Sequence, residues 1–178
     1  MIIESTEWKR TLRADCLNVR KYSKLLTRSG TKEFLLDRIQ IKLSAGALIA
    51  RRLMETPKVS SYFHKTTVRT LAFPWRGSPV DHINWHRIDE KYQLNNARVT
   101  ALPFPFLCDQ IIHSFVWVWG YGRNVNSFLV SSDRKKHSQL FQVSIYRFTE
   151  ILLHMSGDYP SKVSGTRGPD GNWTFFAE

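Results

Sequence analysis

The chain has 178 residues, of which 42% are hydrophobic and 23% charged. That is enough to bury roughly two-thirds of the unfolded surface in one domain, and it excludes disorder over the whole length. Twenty-six Lys and Arg against 15 Asp and Glu leave a net charge of +11, so nucleic acid, an anionic surface or an acidic protein is the expected class of partner.

Ser5, Thr6 and Glu7 read as a helix start. Trp8, Leu12, Cys16, Val19, Tyr22 and Leu26 then recur at steps of three and four, which predicts an amphipathic helix ended by Ser29-Gly30. A second helix is expected from near Thr31, with Phe34, Leu35, Ile39, Leu43, Ala47, Leu48 and Leu53 as its apolar face. It stops before Pro57, because the residue preceding proline avoids helical geometry. Ala45, Gly46, Ala47 and Ala50 would let a neighbouring helix approach closely, and a short turn makes the two helices an antiparallel pair.

Val68 to Phe73 suits a short strand, and a short helix containing Trp85, Ile88 and Tyr92 is expected within 81–96. Pro103 and Pro105 open a third long element, with Phe106, Leu107, Ile111, Ile112, Phe115, Val116 and Trp119 on one helical stripe. Phe115 to Trp119 also suits a buried strand, which periodicity alone does not decide, and a helix to about residue 119, closed by Gly120 and Gly122, is the favoured reading. Asn126 to Ser132 and Gln139 to Ile145 predict a hairpin about Asp133-Arg134-Lys135-Lys136-His137. Ser144 is placed to cap a helix through Ile145, Phe148, Ile151, Leu152 and Met155 that ends at Gly157. A turn at Gly168-Pro169-Asp170-Gly171 and a final strand from Trp173 to Phe176 complete the chain. The expected fold is α+β: an N-terminal helical bundle, then a β-hairpin, a helix and a strand. Residues 1–178 form one domain in this reading, divisible into a helical core 1–120 and an α/β extension 124–178.

The stretch from Phe104 to Trp119 is too short, and with Asp109 and His113 too polar, to span a bilayer. The first residues form no apolar h-region, so no signal peptide is expected. Cys16 and Cys108 are isolated within apolar patterns, so buried free thiols, a cytoplasmic location and no membrane partner are expected.

Charge is concentrated at the N-terminal end, where residues 1–60 hold 13 basic and 6 acidic side chains. A helical row that includes Arg13, Arg20, Lys24 and Arg28 can neutralise several phosphates at once. The hairpin loop adds Arg134, Lys135 and Lys136, because hairpin tips can reach a nucleic-acid backbone. Asp109 and His113 lie four residues apart, hence on one face of a helix, where a carboxylate could orient an imidazole for acid–base work. Val80-Asp81-His82-Ile83 resembles the Asp-His-Ile core of HNH nucleases, and His82 and His86 have the spacing of a helical metal pair. The accompanying glycine pair and Cys-x-x-Cys knuckles are absent, so a surface helix with no metal and no cofactor is expected there.

Leu107-Cys108-Asp109-Gln110-Ile111-Ile112-His113-Ser114 resembles a degenerate form of the motif of HEPN domains, helical domains common in bacterial defence and toxin systems. Their motif is Arg, a polar residue such as Asn, three further residues and His on one helix. Cys108 stands at the Arg position, Asp109 at the Asn position and His113 at the His position. In active members the Arg and His cleave RNA without a metal. The resemblance therefore implies a helical core, and at His113 a ribonuclease chemistry that Cys108 cannot complete, since a thiol does not stabilise a developing phosphorane as an Arg would. Arg98 and Arg123 are the nearest replacements along the chain. The chain is also similar in pattern to bacterial proteins of uncharacterised function that share the Ile-Ile-His-Ser segment, a hairpin and a Gly-Asp-Tyr-Pro turn, here Gly157 to Pro160.

The leading expectation is a basic bacterial cytosolic domain that binds RNA or DNA through its helical face without catalysis, in a defence or toxin–antitoxin setting. Two alternatives stand beside it. One is an interaction subunit of such a complex that meets an acidic protein partner, the chain itself being a candidate homodimer. The other is a metal-independent HEPN-type ribonuclease. In the leading reading His113 is a structural or ligand-contacting group, hydrogen-bonded to Asp109 or to a backbone carbonyl.

Overall fold

The computed structural model describes residues 4–29, 33–120 and 126–178, and of residues 27–29 the backbone alone. The expected helix end at Gly30, the start near Thr31, and Gly122 and Arg123 lie outside the described residues. Two long helices, α1 (Thr6–Ser29) and α2 (Glu33–Glu55), open the fold. Leu12 lies near Gly46, and Asp15 pairs with Lys42, an order that requires an antiparallel pair. A side chain on Gly46 would meet Leu152 at 2.9 Å, so this glycine is where two other helices close on α2.

The short α3 (Tyr62–Lys65) leads into β1 (Thr67–Pro74). After α4 (Ile88–Lys91) come β2 (Arg98–Pro103), α5 (Phe104–Ile112), β3 (Ser114–Trp119), β4 (Ser127–Ser132), β5 (Gln139–Ser144) and α6 (Ile145–Ser156). A hairpin of β6 (Val163–Arg167) and β7 (Trp173–Ala177) ends the chain. The first five strands form one antiparallel sheet in the order β2-β1-β5-β4-β3. The fold is thus α+β, with a helical N-terminal region and antiparallel strands following it.

Strand periodicity sorts the sheet's side chains onto two faces. Val68, Ala72, Trp117, Phe128, Val130, Phe141 and Val143 face α1, α2, α5 and α6 and share their core. Leu71, Phe73, Val118, Leu129 and Leu140 face the other way, against Val80, Trp85, Ile88 and Tyr92 of the segment between β1 and β2. Both faces are therefore covered. His137 helps hold the covering segment: its Nε2 accepts from the Val80 N–H at 3.0 Å, and its ring packs on Trp75.

The expected helix to Trp119 is a correction. The helix stops at Ile112, and Ser114–Trp119 is a strand paired with β4. A bulge between Ser114 and Val116 turns Phe115 and Val116 to the same side, where both join the second core. The buried side chains of α5 are Phe104, Leu107, Cys108, Gln110 and Ile111, whereas Ile112 is only partly buried. The expected helix within 81–96 shrinks to the single turn of α4, preceded by turns over 82–86. β2 and β6 have no counterpart in the sequence reading. The other expected elements stand: the strand at 68–73, the 126–145 hairpin and the final strand. The helix after the hairpin, α6, is capped by Ser144, whose hydroxyl accepts from the Arg147 N–H at 3.4 Å, and ends at Gly157.

The Gly157-Asp158-Tyr159-Pro160 turn is a structural tie. The Asp158 carboxylate accepts from the Ser60 N–H and, at 2.7 Å, from the Ser60 hydroxyl. Its backbone carbonyl accepts from Lys9, whose ammonium sits 3.7 Å from the centre of the Tyr159 ring. Lys9 is 1% exposed, and desolvation holds its pKa below the ordinary lysine value, opposed by the attraction of Asp158. One turn thereby joins α1, the α2–α3 connection and the end of α6.

Candidate nucleic-acid interface

Helix α5 begins directly from β2, with Pro105 in its first turn, where a missing N–H costs nothing. Nine residues later it ends at His113, whose N–H donates to the Asp109 carbonyl at 3.0 Å. Phe106, Asp109, Gln110 and His113 recur at helical spacing and so share a side of α5. Two hydrogen bonds fasten that end of the helix to the β4–β5 turn. The Gln110 side-chain oxygen accepts from the Ser132 N–H at 3.1 Å, and the His113 carbonyl accepts from the Asp133 N–H at 3.2 Å. Residues 133–135 are held beside His113 as a result.

The C-terminal end of α2 closes the opposite side. Arg51 Nε bonds the Asp109 carboxylate at 2.9 Å, and its Nη2 lies 3.4 Å from Glu55. Between these walls lies a cleft of about 600 Å³ lined by Arg51, Phe106, Asp109, Gln110, His113, Ser132, Asp133, Arg134 and Lys135. Two sites separate in the sequence thus become one: the Asp109–His113 pair and the hairpin loop.

The charges in the cleft divide by partner. Asp109 is paired with Arg51, and Asp133 with Lys136 at 2.8 Å. The Lys136 hydrogen bond and charge hold the Asp133 carboxyl below the usual aspartate range. Arg134, Lys135 and the exposed imidazole of His113 have no ion pair or side-chain hydrogen bond among the described residues. Asp109 therefore does not orient His113, as the sequence suggested, because its carboxylate is turned to Arg51. Lys136 is used internally as well, with its ammonium 3.5 Å from the Phe115 ring centre and 15% of its side chain exposed.

Cys108 is fully buried, and desolvation raises its thiol well above the ordinary value. The cation beside Asp109 comes from Arg51, a residue that no local pattern connects with position 109. Arg98, at the start of β2, does not line the cleft. Only contact across the fold brings Arg51 in.

The row on α1 is less uniform than its sequence. Arg13 and Lys24 are exposed. Arg20 is half-buried against α6, with Nε donating to Thr149 Oγ1 at 3.1 Å and the guanidinium 4.5 Å from the Tyr146 ring centre. The Arg28 side chain lies outside the described residues. None of Arg13, Arg20 and Lys24 lines the cleft.

The Asp81-His82 segment is a turn. The Asp81 carboxylate accepts from the Ile83 and Asn84 N–H groups, which lower its pKa, and His82 packs on Phe115 with ring centres 4.8 Å apart. Among the described residues no group of three or more His, Cys, Asp or Glu is placed to hold a metal ion, and no helix is long and apolar enough to cross a membrane. Comparison with protein-family models, with curated proteins and with solved structures finds no match to this chain.

Proposed function

We propose that this protein is a non-catalytic nucleic-acid-binding domain that grips the backbone of RNA or DNA at the cleft between α2, α5 and the β4–β5 turn. The observation that carries this reading is the convergence of Arg134, Lys135 and exposed His113 in one cleft, where none of the three side chains has an ion pair or hydrogen bond among the described residues. Two cations held at a rigid turn suit phosphate oxygens. Half-buried Phe106 and the His113 ring offer flat surfaces for an unstacked base, which favours a single strand. The exposed cations Arg13 and Lys24 of α1 add long-range attraction in this reading. Changing Arg134 and Lys135 together to Glu should weaken binding to a labelled single-stranded RNA and lower the slope of log K against log salt by about 0.7 for each lost contact. No binding by the wild type at low salt, or an unchanged slope in the variant, would refute the proposal.

A second reading is favoured by Arg51. The HEPN-like resemblance lacks an Arg at Cys108, and the Arg51 guanidinium lies in the same cleft as the His113 imidazole. A metal-independent ribonuclease would use His113 to take the 2′-hydroxyl proton and a cation to stabilise the phosphorane. Cleavage of the same RNA in EDTA, lost in His113→Asn, would select this reading over simple binding.

A further inference from the structure

Two cations of the α1 row that do not reach the cleft meet the start of α6 instead. Arg20 and Lys24 line a second cavity of about 450 Å³, together with Ser23, Asn126, Ser144 and Tyr146. Its lining has two cations and no carboxylate, and it shares no residue with the cleft. Arg20 is fixed in place. Its Nε donates to Thr149 Oγ1 at 3.1 Å, and its guanidinium lies 4.5 Å from the centre of the Tyr146 ring. Its two Nη atoms have no ion pair or hydrogen bond among the described residues. The N-terminal end of the 12-residue helix α6 supplies another wall. There the Ile145 N–H donates to the Asn126 carbonyl at 3.0 Å and the Arg147 N–H to the Ser144 hydroxyl at 3.4 Å. The Tyr146 N–H between them has no acceptor among the described residues. First-turn N–H groups lack an intrahelical acceptor, and the helix dipole favours an anion beside them.

Ser23 is the independent sign of a ligand. It lines the cavity, yet its hydroxyl oxygen is buried and has no hydrogen-bond partner. Buried hydroxyls are nearly always bonded, so an orphan one beside a cationic cavity calls for an acceptor that the chain itself does not supply. We infer that this cavity binds the phosphomonoester group of a nucleotide. The Arg20 fork, the Lys24 ammonium, the Ser23 hydroxyl and the Tyr146 N–H are its donors, and two cations with a helix N-terminus match a dianion. The volume exceeds what a bare phosphate fills. The Tyr146 ring, 57% exposed, and the exposed Asn126 amide offer the rest of the wall to a sugar and base. A free mononucleotide and the 5′-phosphorylated end of a strand present the same group.

Calorimetric titration of the full chain with adenosine 5′-monophosphate, inorganic phosphate and adenosine tests the site. The monophosphate should bind saturably at millimolar concentration, phosphate more weakly and adenosine not at all. Ser23→Ala should weaken the monophosphate about fivefold, while its Tm without ligand equals or exceeds that of the wild type, because the change removes an unsatisfied hydroxyl. Arg20→Lys keeps the charge but loses the fork, and should weaken binding about tenfold with an unchanged circular dichroism spectrum. The Arg134→Glu, Lys135→Glu double variant, altered only in the cleft, should bind the monophosphate as the wild type does, so this result stands or falls apart from nucleic-acid binding at the cleft. A 5′-phosphorylated RNA that displaces the monophosphate better than its 5′-hydroxyl counterpart identifies the strand end as the source, and equal displacement identifies the free nucleotide. No saturable monophosphate binding by the wild type overturns the proposal, as does adenosine binding as tightly as its monophosphate. Wild-type affinity in either Ser23→Ala or Arg20→Lys overturns it too. So does a Ser23→Ala protein clearly less stable than the wild type, since the hydroxyl would then have a partner within the chain.

Discussion

Replacing Gln110 by Met tests whether α5 positions the cationic turn. Gln110 is 4% exposed, and its side-chain oxygen accepts the buried Ser132 N–H at 3.1 Å. Methionine keeps the length and nearly the volume of the side chain, so little cavity forms. What disappears is the acceptor, and a buried N–H left without one costs about 1–3 kcal/mol. At this chain length a loss of 2 kcal/mol lowers Tm by roughly 4–8 °C. Urea titration followed by circular dichroism reads the loss directly, as a lower midpoint at unchanged slope. The same bond sets the place of Arg134 and Lys135 relative to His113, so RNA affinity should fall in Gln110→Met at temperatures where the variant is still folded. His113→Ala supplies the control: its exposed imidazole has no side-chain partner among the described residues, and its stability should stay within about 0.5 kcal/mol of the wild type. A Gln110→Met protein as stable as the wild type, with full RNA affinity, would refute the claim that this bond holds the cleft together.

Two further predictions concern the frame around the cleft. Asp158→Ala removes a carboxylate that accepts from both the N–H and the hydroxyl of Ser60, and chemical denaturation should show a loss of about 2–4 kcal/mol, since hydrogen bonds to charged groups are the stronger ones. Ile111→Ala should cost about 2–5 kcal/mol, because Ile111 is 1% exposed in the main core. Ile112→Ala should cost clearly less, since Ile112 is only partly buried, and equal losses at the two positions would contradict the register of α5.

The sequence by itself determined the elements whose signals are local. The three- and four-residue recurrence from Trp8 to Leu26 and from Leu35 to Leu53 was sufficient for α1 and α2. Alternation about Asp133 to His137 was sufficient for the hairpin, and Ser144 with Gly157 bounded α6. It also marked His113 and the Arg134-Lys135 pair as chemistry-bearing. It could not say that they share one cleft, because that depends on Gln110 meeting Ser132, 22 residues away. Residues 114–119 show the limit most clearly. Their apolar run satisfies a helix and a strand alike, and pairing with β4, together with a two-sided core, decides for the strand. β2 was hidden for a related reason: its side chains are mostly exposed, so it has no apolar period and owes its form to hydrogen bonds with β1. Arg51 is the plainest case. A guanidinium on a helix reads as surface charge until the packing of α5 against α2 puts Asp109 within 2.9 Å of it. Contacts between residues so far apart leave no local pattern, and the tertiary structure alone decides them.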